Sequence, residues 1–132
     1  MASSTDPSTW ATFAEARRSL VGIGLGFVLN GDGIVCLDVD HCLDERGRLT
    51  EGAAALLDLA GTTYVEVSPS GKGLHVWGRA ELTQGRRVSF RGQSVELYPS
   101  GRYMTVTGKQ YLGSLSVLGD VSAAVAAALD EP

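Results

Sequence analysis

Alternating apolar and polar positions mark four short segments of the chain as β-strands. In Ile34–Asp40, valine and leucine occupy every second position, and a cysteine and two aspartates stand between them. The same alternation recurs in Leu74–Trp77, Ser94–Tyr98 and Tyr103–Thr107. Successive side chains of a strand point to opposite faces of a sheet. Each segment is therefore predicted to have one aliphatic face and one polar or amphipathic face.

Turn residues between apolar runs predict two hairpins. Asn30-Gly31-Asp32-Gly33 separates Ile23–Leu29 from Ile34–Val39, and Asn-Gly and Asp-Gly are the dipeptides that two-residue hairpin turns favour. The Pro- and Gly-containing segment 69–73 separates the apolar run that starts at Thr63 from the one that starts at Leu74. A Gly- and Arg-containing stretch, 85–92, precedes the strand 94–98 and is assigned to no element.

Capping residues predict three helices. Thr12 and Glu15 form a capping box that opens a helix to about residue 20, Thr50 and Gly61 bound a second helix, and Asp120 caps an Ala-rich helix to about residue 129. Residues 1–9 are expected to be a flexible lead-in. This order predicts one α+β domain over 1–132, with a mainly antiparallel sheet and helices packed on one face.

If the aliphatic faces lie under the helices, the other face is expected to be an open, wet platform that collects carboxylates. Asp38 and Asp40 are two positions apart on one face, with Cα atoms roughly 6.5 Å apart. Glu96 belongs to the same face of another strand. Clustered carboxylates repel unless cations neutralise them, and oxygen ligands favour Mg²⁺ or Mn²⁺. The alternative is a solvated strand end, since Asp-x-Asp alone is a weak motif.

The segment Ser68–Gly73 has the composition of a phosphate-binding loop, with small residues, hydroxyls and one lysine. It lacks the Walker pattern and joins strand to strand, so an ordinary hairpin turn is the competing interpretation. His75 follows two residues later on the polar face, where its imidazole would reach a triphosphate bound above the loop. Arg86, Arg87 and Arg91 form a basic cluster beside this region.

Composition narrows the function classes. The 132 residues carry 11 basic and 15 acidic side chains, a formal charge of −4, which argues against a protein that coats nucleic acid by bulk charge. No run approaches the roughly 18 apolar residues of a membrane span, and the first residues lack a signal-peptide pattern. We therefore expect a cytoplasmic protein without a membrane partner. Its two cysteines, Cys36 and Cys42, are predicted to be free thiols.

Three motifs resemble the phage and plasmid primase-polymerase domains of the archaeo-eukaryotic primase superfamily. They are Gly-Ile-Val-Cys-Leu-Asp-Val-Asp-His-Cys-Leu-Asp (33–44), Glu-Val-Ser-Pro-Ser-Gly-Lys-Gly-Leu-His-Val-Trp (66–77) and Val-Glu-Leu-Tyr-Pro-Ser-Gly-Arg-Tyr-Met-Thr-Val-Thr-Gly (95–108). Asp-Pro-Ser-Thr-Trp-x-x-Phe (6–13) also resembles the first helix of these domains. The resemblance covers about residues 6 to 110, with the three motifs in the family's order.

The resemblance implies a palm related to the RNA-recognition motif and assigns roles to residues. It implies that Asp38, Asp40 and Glu96 hold the catalytic metals. Its second motif implies that Ser70 and His75 contact the triphosphate of the incoming nucleotide. The remaining residues that it places near the nucleotide are Gly71, Lys72, Arg102 and Tyr103.

The implied activity is metal-dependent nucleotidyl transfer by a DNA primase or a template-dependent DNA polymerase core. The implied cofactor is Mg²⁺ or Mn²⁺, and the implied partners are a DNA template and primer, a dNTP or NTP, and a helicase in the same or a separate chain. The expected setting is the replication of a phage or plasmid, in a bacterium or a phage-infected cell.

Two other functions remain open from the sequence. The first is a non-catalytic nucleotide- or DNA-binding module derived from such a domain, which small size and acidity favour. The second is an Asp-x-Asp glycosyltransferase, which accounts for Asp38 and Asp40 but leaves Glu96 and the loop 70–75 without a role.

Overall fold

The computed structural model of the protein describes residues 7–9 and 25–130. After a short 3-10 helix at Pro7–Thr9, the described elements are β1 (Leu25–Asn30), β2 (Ile34–Val39), α1 (Glu51–Ala60), β3 (Val65–Val67), β4 (Leu74–Arg79), β5 (Arg86–Phe90), β6 (Gln93–Tyr98), β7 (Ser100–Val106), β8 (Gly119–Asp120) and α2 (Ser122–Asp130). The helix predicted over 12–20 lies outside the described residues, as does most of the lead-in predicted over 1–9.

The main sheet is antiparallel and has β2 at its centre. Its strands follow the order β3-β4-β2-β6-β5, and β8 pairs in parallel with the end of β4. The predicted hairpin across residues 69–73 is confirmed, because β3 and β4 pair in antiparallel register. The α+β class and the mainly antiparallel sheet are therefore as the sequence predicts.

Both helices cover the aliphatic face of this sheet. Val35, Leu37 and Val39 of β2 are buried in one core with residues of β4 and β6 and with the apolar sides of α1 and α2. The helix residues buried there are Ala53, Leu56, Ala60, Ala124, Val125 and Ala128. The burial of the aliphatic face, inferred from alternation, is confirmed for β2, β4 and β6. It is wrong for the predicted strand 103–107, because Met104 lies in a second core away from both helices.

The capping residues predicted for α1 are the ones that bound it. The Thr50 hydroxyl accepts a hydrogen bond from the Ala53 amide at 3.2 Å, and the Gly61 amide, at a positive φ of 67°, donates to the Leu57 carbonyl. Thr50 also donates to Oε1 of Gln93 at 2.7 Å, which connects the start of α1 to β6.

Replacing Thr50 with alanine is expected to lower the free energy of unfolding by about 1 kcal/mol, because the cap of α1 and the bond to Gln93 are both removed. Urea denaturation followed by circular dichroism measures the loss. Thr50→Ser keeps the hydroxyl and is the matched control. A loss of the same size in the serine variant would show that the methyl group, not the cap, is responsible.

The hairpin predicted across Asn30–Gly33 is wrong. β1 pairs antiparallel with β7, some 75 residues later, and not with β2. Positive φ values at Gly31 (83°) and Gly33 (95°) let the chain leave one sheet and enter the other within three residues. The turn residues therefore connect the β1/β7 ribbon to the main sheet and do not close a hairpin.

The polar face of the main sheet is also less open than predicted. The β1/β7 ribbon packs on one end of it, and there Leu29 and Met104 bury against Cys36 and Trp77 in a second core. The edge of the Phe27 ring contacts Trp77, with centroids 5.6 Å apart. The polar face of the sheet is therefore buried at the end under the β1/β7 ribbon, and its exposed polar part is confined to the opposite end.

The stretch 85–92, for which the sequence predicts no element, contains β5 and a tight turn. β5 pairs with β6, and Arg91 and Gly92 adopt positive φ values of 48° and 79°, as a type I′ hairpin turn requires. Cys36 and Cys42 are buried and unbridged, as predicted. No helix within residues 7–9 and 25–130 has the length and apolar character needed to cross a membrane.

Candidate active site

A row of five ionisable side chains crosses the polar face of the main sheet. The antiparallel register pairs Glu66 with His75, His75 with Asp38, Asp38 with Glu96, and Glu96 with Arg87. Each residue belongs to a different strand, and directly opposed residues of neighbouring strands share one face. The sheet thus places His75 and Glu96 on either side of Asp38, from segments that are distant in sequence.

At one end of the row, Glu66 is completely buried and fully hydrogen-bonded. Its Oε2 lies 2.9 Å from Nδ1 of His75, and its Oε1 accepts from the Tyr64 hydroxyl at 2.9 Å. The amides of Thr107 and Gly108 donate to the same carboxylate at 3.2 Å. Burial acts to raise the pKa of Glu66, but the hydrogen bonds from His75, Thr107, Tyr64 and Gly108 outweigh it and hold that pKa below its ordinary value.

Asp38 at the centre of the row lies among groups of both signs. Nε2 of His75 is 3.8 Å from Asp38 Oδ1, too far for a hydrogen bond but close enough for charge attraction. Burial raises the pKa of Asp38; His75 opposes the rise, and Glu96 and Asp40 add to it. A carboxylate with a raised pKa beside two others marks a position where a cation would be stabilised.

Glu96 has partners on both carboxylate oxygens. The Tyr98 hydroxyl donates to Oε2, and Arg87 donates to Oε1 at 2.8 Å. The hydrogen bond from Tyr98, together with the charge of Arg87, lowers the pKa of Glu96. Because the Arg87 side chain is 75% exposed, its ion pair is exchangeable and contributes little stability.

Asp40 lies one step beyond β2, at the exposed edge of the row. Its amide continues the ladder by donating to the Ser94 carbonyl at 3.2 Å, and Nε2 of Gln93 donates to its carbonyl. Its carboxylate lies 3.2 Å from Nδ1 of the neighbouring His41. The backbone of Asp40 is therefore held by the sheet, while its side chain lies in solvent.

The three predicted metal ligands share one face without converging on one point. Within residues 7–9 and 25–130, no three His, Cys, Asp or Glu side chains converge closely enough to hold an ion. Their donors are all carboxylate oxygens, the set that Mg²⁺ and Mn²⁺ prefer, and Asp38 stands opposite Glu96 in register. The residues therefore fit such an ion in chemistry.

The loop between β3 and β4 lies next to Asp40 and uses its own amides. The Ser68 hydroxyl accepts from the Gly73 amide at 3.2 Å, and the Ser70 hydroxyl accepts from the Lys72 amide at 3.2 Å. The Gly71 amide, at a φ of 78°, donates to the Ser68 carbonyl. The predicted phosphate cradle of free amides is therefore not what the structure shows at these three positions, whereas the side chains of Ser70 and Lys72 remain exposed.

Gly73 brings this loop against β2. A Cβ at this position would lie 2.7 Å from the Val39 carbonyl oxygen, 3.1 Å from the Ser68 hydroxyl and 3.5 Å from Cα of Asp40. The absence of a side chain is thus what allows the loop 68–73 to lie beside the predicted metal ligands.

Replacing Gly73 with alanine is expected to lower the free energy of unfolding by about 1–3 kcal/mol, because the backbone oxygen of Val39 has no room to move. Urea denaturation measures this loss. Ser70→Ala, which removes an exposed hydroxyl of the same loop, is the control and is expected to change stability by less than about 1 kcal/mol. An unchanged midpoint for Gly73→Ala would contradict the close approach.

Arg102 and Tyr103 lie on opposite faces of the β1/β7 ribbon. The Arg102 guanidinium lies 4.2 Å above the ring of Tyr98. Its positive charge lowers the pKa of Glu96, so Arg102 interacts electrostatically with the row of ionisable side chains. The Tyr103 ring instead packs on Gly26, on the face that turns away from Met104 and the second core. The structure brings Arg102 to the other predicted residues and leaves Tyr103 apart from them.

Three residues of the site were missed from the sequence. Glu66 was not assigned to a face, although it belongs to the first strand of the predicted hairpin that continues into β4. Tyr98 was assigned to the polar face without a role. Arg87 was noted only as part of a basic cluster, because the polar β5 carries no strand pattern.

Comparison with known proteins places the chain in a family. Residues 27–111 match the family described as BT4734-like, N-terminal domain, and the chain belongs to that family. The matched range includes every residue predicted for the site.

The chain is also similar to a protein named DNA primase-polymerase from Nitratiruptor phage NrS-1. The two are 43% identical over 134 aligned positions, which cover 90% of this chain. The similarity indicates a primase-polymerase-like domain. The chain spans 18% of the length of that relative.

Proposed function

We propose that this chain is the nucleotidyl-transfer core of a DNA primase-polymerase that acts in phage or plasmid replication. The observation that carries the proposal is the register that sets His75 and Glu96 on either side of Asp38, on one face of an antiparallel sheet. The similarity to the phage DNA primase-polymerase supports the same reaction class. The palm of the archaeo-eukaryotic primases is the fold type that we propose for this sheet.

In the proposed site, Asp38, Asp40 and Glu96 would hold Mg²⁺ or Mn²⁺. The bound ion would activate a primer 3′-hydroxyl and stabilise the leaving pyrophosphate. His75 and the exposed Lys72 would contact the phosphates of a dNTP or NTP, with Ser70 as a hydroxyl donor from the same loop. Arg102, held over Tyr98, adds positive charge from the β1/β7 ribbon.

The proposed macromolecular partners are a DNA template and primer, together with a helicase in the same or a separate chain. The described residues carry a basic group at β5, where Arg86 and Arg87 are exposed on an edge strand and Arg91 lies over the Phe90 ring. Arg87 ends the ionisable row, so a phosphate backbone along β5 would lie next to Glu96. The formal charge of −4 predicts weak, salt-sensitive DNA binding.

Template-dependent incorporation of a labelled nucleotide with Mg²⁺ or Mn²⁺ tests the proposal. We expect incorporation and pyrophosphate release by the wild type, and loss of both in Asp38→Ala and in Asp40→Ala. Asp58→Ala is the matched control, because Asp58 is exposed on α1, which covers the opposite face of the sheet. Activity that persists in both site variants would refute the proposal.

A non-catalytic nucleotide- or DNA-binding module is the second candidate. It is favoured by the engagement of both Glu96 oxygens with Tyr98 and Arg87, which leaves the predicted metal ligands apart. This candidate predicts saturable binding of triphosphate without pyrophosphate release, even when a primed template is present.

A further inference from the structure

Glu66 stands out in the described part of the chain because it is charged, completely buried and placed behind a residue of the proposed site. It is 0% exposed, and His75, which lies between it and Asp38, is 3% exposed. Buried carboxylates are rare unless they are paired and hydrogen-bonded. Four different groups donate to Glu66, so its position is strongly determined.

The contact between Glu66 and His75 fixes which ring nitrogen carries a proton. An ionised carboxylate only accepts hydrogen bonds, so Nδ1 at 2.9 Å must be the donor. The low pKa of Glu66 keeps the carboxylate in this accepting form. The other nitrogen, Nε2, then faces Asp38 and the polar part of the platform.

The ring of His75 is held on its other sides as well. Its edge contacts Trp77 at a centroid distance of 6.3 Å and an interplanar angle of 90°, and its strand pairs on both sides. Glu66 is itself fixed by backbone amides that follow β7, the strand that carries Arg102. One buried carboxylate thereby connects β3, β4 and the end of β7.

We propose that Glu66 is a positioning residue: it accepts the Nδ1 proton of His75 and so turns Nε2 toward the nucleotide site, where Nε2 donates to the phosphates once it also carries a proton. This inference rests on the proposed function for its ligand, but its central claim concerns the ring of His75 and is measured without nucleotide. The arrangement is the one by which a carboxylate behind a histidine fixes its tautomer and orientation.

The substitution Glu66→Gln separates positioning from structure. A glutamine has nearly the same shape, and with its oxygen in the place of Oε1 it still accepts from Tyr64 and Gly108. Its amide nitrogen then faces Nδ1 of His75 and donates to it, so the neutral ring must move its proton to Nε2. Tyr64→Phe is the control, because it removes one bond to Glu66 and leaves the carboxylate in place.

Ring ¹⁵N NMR of the histidines reports the tautomer directly. The chain has two histidines, and His41→Ala identifies the signals of His75. We expect a protonated Nδ1 in the wild type and in Tyr64→Phe, and a protonated Nε2 in Glu66→Gln. A bare Nδ1 in the wild type, or the same tautomer in Glu66→Gln, would overturn the inference.

Binding of a non-hydrolysable triphosphate in the presence of Mn²⁺ tests the consequence for the site. Glu66→Gln removes the carboxylate that orients the imidazole and offsets its positive charge when both ring nitrogens donate, so binding is expected to weaken about tenfold, with Tyr64→Phe close to the wild type. Unchanged affinity after a change of tautomer would overturn the positioning role. Failure of the wild type itself to bind would refute the proposed function, whereas the NMR result still decides what Glu66 does to His75.

Discussion

Replacing Asp38 with asparagine is expected to abolish nucleotide incorporation and, in the absence of metal, to raise the stability of the protein. Both effects come from one feature of the site. Asp38 is partly buried beside Glu96 and Asp40, and burial is the main reason that its pKa is raised. A carboxylate that is ionised although it is partly buried beside other carboxylates lowers the stability of the fold. Such a cost is typical of a residue that is needed to bind a ligand.

The pH dependence of this stability has a definite sign. Because the pKa of Asp38 is higher in the folded than in the unfolded protein, the folded state binds more protons between the two values. The wild type therefore loses stability as the pH rises from 3.8, the ordinary value, through the raised pKa of Asp38. The advantage of Asp38→Asn should be absent in acid, grow across this interval and reach its full size at neutral pH.

Urea denaturation at several pH values measures this difference, and Asp58→Asn on the opposite side of the sheet is the control. Millimolar Mn²⁺ is then expected to stabilise the wild type and to leave Asp38→Asn unchanged, since a ligand that binds only the folded state shifts unfolding by mass action. A variant that is less stable than the wild type at neutral pH would contradict the cost assigned to burying the charged Asp38 carboxylate beside Glu96 and Asp40. Equal stabilisation of both proteins by the metal would show that the ion binds elsewhere.

The sequence predicts the faces of the strands well, because alternation is a local property. Asp38, His75 and Glu96 were each assigned to the polar face of their own strand, and the structure places them side by side. Which strands are neighbours is not a local property. The register that sets His75 opposite Asp38 follows from the hairpin 65–79 and from the position of β2 between β4 and β6.

The errors arise where pairing is decided over long distances. The turn Asn30–Gly33 has the residues of a hairpin, but β1 pairs with β7 and buries Leu29 with Met104 against Cys36 and Trp77. That gain depends on Met104, which is far away in sequence. The strand β5 was missed for a different reason. Arg86 and Arg87 are successive residues and point to opposite faces of the sheet, so the start of β5 is polar on both faces, as an edge strand permits.

The missed role of Glu66 has the same physical origin. Tyr64 is only two residues away and His75 nine, but the amides of Thr107 and Gly108 are 41 and 42 residues away. A glutamate in a three-residue strand gives no pattern by itself. Its role as a hydrogen-bond acceptor can be recognised only in the folded structure, where these donors surround a completely buried carboxylate.

Replacing Glu66 with alanine is expected to lower the free energy of unfolding by about 3–5 kcal/mol, because a buried partner of His75 is removed and several donors lose their acceptor. For a domain whose total stability is about 5–15 kcal/mol, this is a large share. Glu66→Gln keeps most of the acceptor geometry and is expected to lose about 1 kcal/mol. Glu81→Ala, at an exposed position after β4, is expected to be close to the wild type.

The pH dependence of this effect is opposite in sign to that of Asp38. The pKa of Glu66 is lower in the folded than in the unfolded protein, so its contribution is complete above the ordinary value of 4.5 and is lost as the pH falls through the lowered pKa. In urea denaturation, the wild type should therefore be more stable than Glu66→Gln at neutral pH, and the two stabilities should become equal in acid. The wild type should be less stable than Asp38→Asn at neutral pH, and those two stabilities should also become equal in acid. If the difference between wild type and Glu66→Gln were constant with pH, the ionised carboxylate would not be what holds His75 and the end of β7 in place.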